Sequence, residues 1–351
     1  MATTETRGRP GTGTGAARSL LSGLLRGRTW NQVVWFVVLT AALYLFVPNP
    51  SIAIQVLIFG LWAVSLNLLL GYGGLVSFGH ALYFFYGAYA AGLLLTRNLT
   101  QNLWVSLLAA MAFSGLIAVG AGFVCLRRRS VYFSMLTLAF AQLGYFIAFQ
   151  ARGVTGGDDG LRNILTPPLT LPGVTIELNP LRDPSTFFFF TAVIVGICFV
   201  LLLLFTESPL GRVLEAIRES EERARGCGYN TNLVQLLTFT VSGAFAGLAG
   251  GLNAVFTGVI GLDPYWLMSG IVVIMVVLGG RSTLFGSLIG ATVYLLLQHY
   301  LSSAFAEWQL ILGAIFVISV LLFPQGLWGL ARLERGGGVT RFFRRFRSGM
   351  A

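Results

Sequence analysis

The sequence contains no lysine, and only 10% of its 351 residues are charged. Soluble domains carry about 25% charged residues, so the shortfall excludes an ordinary water-facing globule. In a hydrocarbon core a charge costs roughly 2.5–3.5 kcal/mol at mid-depth, and a chain that lives there keeps few of them. The missing lysine also excludes a nucleotide phosphate-binding loop, which needs that residue to reach the phosphates. All 13 acidic residues fall in loops, in tails or near the ends of apolar runs. This counts against a proton-coupled carrier, which needs a titratable group partway across the bilayer; a sodium site built from backbone carbonyls stays open. His80 and His299 are the only candidates that titrate near neutral pH, and each reads first as a hydrogen-bonded structural residue. Cys125, Cys198 and Cys227 are too widely spaced for a zinc site or a disulfide framework and read as buried and inert. With no hydrolase or redox motif either, no catalytic residue and no metal site is expected.

What is present is apolar: 56% of the chain. Ten segments qualify as spans, at about 31–48, 52–70, 75–95, 103–126, 131–150, 187–205, 233–256, 268–280, 283–300 and 306–323. Most approach the ~20 residues that cross a 30 Å core; 268–280 and 283–300 are shorter and read as spans, broken or re-entrant. The expected class is all-α, a polytopic membrane protein with eight to ten transmembrane helices. Residues 1–29, rich in Gly, Thr, Ser and Arg, read as a disordered cytoplasmic tail rather than a signal peptide. The span domain covers 30–330, and 331–351 is a basic tail.

The 23 basic residues are all arginine and set the orientation. With ten crossings and a cytoplasmic start, 19 fall inside and only Arg97, Arg152, Arg162 and Arg182 fall outside, as the positive-inside bias requires. Both termini are then cytoplasmic, the 151–186 excursion is external and the 206–232 excursion is internal. Arginines between spans serve lipid headgroups better than nucleic acid, so no nucleic-acid partner is expected.

Three motifs carry the functional reading. Asn67–Ala90 (NLLLGYGGLVSFGHALYFFYGAYA) places small residues throughout an apolar stretch. It is either tight helix packing or a break beside a solute path that places Gly71, Gly73, Gly74, Ser77, Gly79 and His80 next to that path. Val131–Gln142 (VYFSMLTLAFAQ) ends in Gln142, a polar side chain that either bonds a neighbouring helix or faces the path; Val154–Leu161 (VTGGDDGL) follows. That loop fits no calcium-site spacing, and Thr155, Gly156, Gly157, Asp158 and Asp159 are candidates for contact with a docking protein. Ser208–Asn230 (SPLGRVLEAIRESEERARGCGYN) reads as a short charged helix, with Pro209 at its start and Glu215, Glu219 and Glu222 recurring at i, i+4 and i+7. Gly226 and Gly228 stop it. Such an element is either a solvated connector or a rigid projection offered to a motor.

Together with GAFAGLAGGL, MVVLGGRSTLFGSLIGA and LFPQGLWG, these motifs resemble, from about Ile52 to Leu330, the permease family of branched-chain amino acid ABC importers, specifically the longer of its two paired permeases. The resemblance implies a second homologous permease, two cytoplasmic ATPases that use ATP and Mg, an extracytoplasmic solute-binding protein, and a bacterial cytoplasmic membrane location. This chain itself would bind no cofactor. The family's ATPase-contacting loop falls on Gly211–Gly228, which includes Arg212, Glu215, Ala216, Arg218, Glu219, Glu222 and Gly226. Where the family commonly reads GGLGSLLG, this chain reads GGRSTLFG, so Arg281 departs from the pattern. Two other functions stay open: the same machine with urea, amides or aromatic acids as cargo, and an ion-coupled secondary transporter.

Overall fold

The computed structural model describes residues 27–128, 130–164, 167–171, 174–176, 180, 183–261, 265–322 and 326–329. The tails expected at 1–29 and 331–351 lie outside these, apart from the helical start at Gly27. Among the described residues all ten expected spans are helices: α1 Gly27–Phe46, α2 Pro50–Asn67, α3 His80–Thr96, α4 Leu103–Cys125, α5 Val131–Gln150, α6 Pro184–Glu207, then, after the connector helices α7 Pro209–Glu219 and α8 Glu221–Gly226, α9 Thr231–Thr257, α10 Tyr265–Gly279, α11 Leu284–Ala304 and α12 Trp308–Leu322. Among the described residues seven helices are long and apolar enough to cross a membrane. Two boundaries differ from the sequence reading. The span expected from residue 75 becomes helical only at His80, and α11, expected to be short, runs a full 21 residues.

Sequence chemistry sets the helix starts. Asn49 and Asn102 cap α2 and α4 by accepting the amides of Ser51 and Trp104, and Ser208 and Asn230 do the same for α7 and α9. Side-chain oxygens here satisfy N–H groups that have no partner within the helix. Helix α2 forms the centre: 89% of its span is buried within the protein, against 28% for α5. Its neighbours are α6, α9, α10 and α11, and it is apolar on all sides, as a fully surrounded helix must be. Of the described residues of α12 only Leu312 is buried. The outer faces of α4, α5 and α12 therefore present leucine, phenylalanine and valine outward, which suits lipid as a solvent.

Small residues bring the helices together. Gly243, Gly247 and Gly251 of α9 lie against Ala118, Ser114 and Ala110 of α4, a four-residue stripe on each of two antiparallel helices. The Ser114 hydroxyl sits in the seam and donates to the carbonyls of Tyr83 (2.7 Å) and Gly243 (3.0 Å). In lipid no hydrophobic drive presses helices together, so close backbone approach and interhelical hydrogen bonds carry the association.

The helices alternate direction, so the two long excursions lie at opposite ends. The α7–α8 connector sits at one end, beside the turn joining α2 to α3. The 152–160 loop sits at the other, where Leu161 and Ile260 exchange backbone hydrogen bonds of 2.8 and 3.0 Å. A small antiparallel hairpin, β1 Leu169–Leu171 and β2 Val174–Ile176, lies in the same excursion. Gly326 packs on Gly280, and Trp35 stands edge-on to Trp328 at 5.6 Å, which brings both described ends of the chain to the α7 end.

Candidate functional site

The continuous helix α2 ends in a wider π turn, Leu68–Tyr72, and residues 73–79 are not helical before α3 begins. Backbone that leaves a helix in a membrane protein must find partners inside the protein, and side chains from three other helices supply them. Ser134 of α5 donates to the Val76 carbonyl (2.7 Å), and Thr137 of the same helix accepts the Phe78 amide (3.2 Å). Ser269 of α10 accepts the Ala81 amide at 3.0 Å, satisfying the first turn of α3. Asn67 donates to the carbonyl of Thr283, the residue that caps α11, at 2.9 Å. From α7 the Arg218 guanidinium donates to the Gly71 carbonyl.

Two glycines in this stretch are required by geometry. Gly74 has φ +68°, the left-handed region that glycine enters without strain, and the Arg218 side chain lies over it. Gly79 lies directly on α5: a Cβ there would overlap the Thr137 carbonyl oxygen and sit 2.8 Å from its carbon. The structure thus gathers Gly71, Gly74, Ser77, Gly79 and His80 around one break. Gln142 is not part of it and lies on the exposed face of α5.

His80 opens α3 and is fully buried. Its Nε2 lies 3.0 Å from Ser65 Oγ, which itself donates to the Trp62 carbonyl at 2.7 Å. With the serine proton committed, Nε2 is the donor, and Nδ1 is left without a partner among the described residues, as is the Ser77 hydroxyl. The pair joins α2 to α3 immediately above the break.

The projecting element divides at Ser220. Its backbone is extended there (φ −161°, ψ 106°), and its hydroxyl caps α8 by accepting the Arg223 amide. The single helix expected over this stretch is therefore two, and Glu222 does not continue the face of Glu215 and Glu219. On α7, Gly211, Leu214 and Ile217 are buried while Arg212, Glu215, Ala216, Arg218 and Glu219 are exposed. Leu214 and Ile217 pack with Ala224, Val234 and Tyr72 into a small separate core, so α7 rests on the same π turn that Arg218 grips. Gly226 and Gly228 end α8 in the open, and Glu221 bridges Arg225 at 2.9 Å and Thr231 at 3.1 Å, tying α8 to the start of α9. Cys227 is exposed, which corrects the expectation that all three cysteines are buried.

At the far end the 152–160 loop is compact. Thr155 is buried and donates to the Ala148 and Ala151 carbonyls, which makes it the turn's internal brace. Gly156 and Gly157 both take positive φ, and Asp158 and Asp159 are left exposed at the tip.

The sequence reading missed one feature, a cavity of about 330 Å³ between α2, α9, α10 and α11 that carries the amides of Gln55, Asn253 and Gln298. The available signal was a carboxamide within an apolar span. That signal had been applied to Gln142 alone.

Comparison with known proteins places this arrangement. Residues 50–321 match the family described as the permease component of the branched-chain amino acid transport system. The high-affinity branched-chain amino acid transport system permease protein LivM of Salmonella typhimurium is 31% identical over 309 residues, covering 81% of this chain and 71% of that protein. LivM of Escherichia coli is 30% identical, covering 80% and 70%. The LivH permease protein of Salmonella typhimurium is 26% identical, covering 79% and 93%. No solved structure matches the chain.

Proposed function

Since this chain belongs to the family of branched-chain amino acid transport permease components, we propose that it moves branched-chain or related amino acids inward across a bacterial cytoplasmic membrane, as one of two paired permeases driven by separate ATPases. The second permease resembles this chain, as LivH-type proteins do at 26% identity. Two cytoplasmic ATPases supply ATP and Mg chemistry, and an extracytoplasmic binding protein delivers the solute. The α7 end then faces the cytoplasm, and the Asp158–Asp159 tip faces the binding protein.

The observation that supports this reading best is the grip of α7 on the break after α2, through the Arg218–Gly71 hydrogen bond and the packing of Leu214 and Ile217 near Tyr72. A motor closing on the exposed face of α7, at Arg212, Glu215, Ala216 and Glu219, moves the π turn with it. The turn is continuous with the central helix α2, and through Gly79 and His80 it leads into α3. A displacement of α7 is thereby passed to both helices at once. Residues 73–79 are the compliant part, because side chains rather than a helical ladder hold them.

The test is uptake of labelled leucine in cells with and without the gene, with unlabelled valine, urea and benzoate as competitors. The expected result is loss of valine-sensitive leucine uptake on deletion, mimicked by vanadate in intact cells. Unchanged leucine uptake with loss of another solute's uptake would replace the cargo.

A further inference from the structure

We infer that the cavity between α2, α9, α10 and α11 is a binding site for an aliphatic zwitterion, so that this subunit selects solute itself instead of providing only a passive path. The inference rests on the importer reading above and names the site within this chain.

Three carboxamides from three different helices meet there: Gln55 of α2, Asn253 of α9 and Gln298 of α11. Each lies within about 10 Å of its helix end on the side away from α7. All three are half-buried, and none of their side chains has a hydrogen-bond partner among the described residues. A carboxamide offers two donors and an acceptor, and in apolar surroundings it is costly to leave unpaired. The set is complete for an amino acid's polar end: the NH2 groups meet a carboxylate and the carbonyl oxygens meet an ammonium. Among the described residues of the lining there is no carboxylate or guanidinium, so a solute with net charge would bring a charge that they do not compensate, while a zwitterion balances its own.

Besides the amides and the polar rim, the wall is apolar and aromatic, with Met268, Ile271 and Met275 of α10, Ile52 and Phe59 of α2, and Tyr294 and Leu295 of α11. Methionine adapts to branched shapes because it is unbranched and flexible. The volume of about 330 Å³ falls at the lower end of small-molecule sites, roughly 300–1,000 Å³. Phe59, which lines the cavity, stands edge-on to Trp62 at 5.7 Å, and Trp62 stacks on Phe84 at 4.4 Å. This aromatic layer separates the cavity from the Ser65–His80 pair one turn further along α2. Exposed Thr257, His299 and Ser302 line the rim, so the site opens toward the 152–160 end and is closed toward α7. A lipid acyl chain would satisfy the methionines and strand the amides, which is why the zwitterion is the better occupant.

The experiment uses the assembled importer in lipid nanodiscs, with Cys227→Ser and Met268→Cys in this chain; Cys125 and Cys198 are buried. Leucine is expected to slow labelling of the new cysteine by a small methanethiosulfonate at least ten-fold, while arginine and succinate leave it unchanged. In proteoliposomes with the binding protein, Asn253→Leu and Gln298→Leu are expected to raise the leucine concentration for half-maximal uptake at least ten-fold, and Leu310→Ala on the exposed face of α12 is expected to change nothing. Equal labelling with and without leucine, in an importer that still takes up leucine, overturns the site and leaves the importer reading intact. Protection by lipid alone overturns it in favour of an acyl chain. A wild-type importer that takes up no leucine overturns the importer reading, and the site with it. If a leucine variant fails to assemble, the labelling result decides.

Discussion

Gly79→Ala tests whether the close approach of the break to α5 is a requirement. The added Cβ would sit 2.8 Å from the Thr137 carbonyl carbon and overlap its oxygen. Carbon atoms rest at about 3.5–4.0 Å, so α5 must retreat by about 1 Å. Overpacking of this kind costs about 1–3 kcal/mol. The retreat also stretches the Ser134–Val76 and Phe78–Thr137 hydrogen bonds, now 2.7 and 3.2 Å, each worth about 1 kcal/mol. The expected loss is therefore about 3–5 kcal/mol of local stability. Gly120→Ala on α4 is the internal control, since a Cβ there meets nothing within 4 Å and alanine favours helix by up to about 1 kcal/mol. The assay is thermal unfolding of the purified chain in detergent, paired with leucine uptake by the assembled importer. Gly79→Ala should melt well below wild type and lose uptake, and Gly120→Ala should match or exceed wild type. Equal melting temperatures for the two variants would refute the argument that packing at Gly79 holds the break in place.

Other outcomes follow from the α7 end and its opposite. Glu219→Arg reverses a charge on the exposed face of α7, so it should abolish solute-stimulated ATP hydrolysis in the assembled importer while membrane insertion, read by fractionation, is retained. Arg218→Met keeps the side-chain stem over Gly74 and removes the donor to Gly71. A hydrogen bond to a charged group is worth about 1.5–3 kcal/mol, so transport per ATP hydrolysed should fall roughly ten-fold, with Arg218→Lys intermediate; an unchanged ratio removes Arg218 from the coupling route. Replacing both Asp158 and Asp159 by Asn removes the exposed charges of the 152–160 tip, and the concentration of binding protein needed for half-maximal uptake should rise about ten-fold, with the maximal rate preserved.

Each part of the architecture was legible to the extent that it depends on local chemistry. Apolar runs mark the ten helices because lipid accepts no other composition. Ser208, Pro209 and the charges after them mark the projecting helix for the same local reason. The division at Ser220 was not legible. Serine is compatible with either a helix interior or a cap, and the surrounding fold decided for the cap. The break after Tyr72 was legible as a glycine-rich stretch but not as a structure. Its partners, Ser134, Thr137, Arg218 and Ser269, lie 55 or more residues from it in the chain, and nothing in their own neighbourhoods marks them as partners.

The cavity shows the same limit most plainly. Gln55, Asn253 and Gln298 are single carboxamides in three apolar runs, each indistinguishable in sequence from Gln142, which turned outward. Composition determined by itself that this chain is built of apolar helices fit for a membrane, and the order of its motifs carried the resemblance to its family. Which polar side chains converge and which face lipid was decided only by the rotation of each helix about its axis. That rotation is fixed by steric fit between neighbours, such as Gly247 against Ser114, and fit is a property of two surfaces that no single stretch of sequence contains.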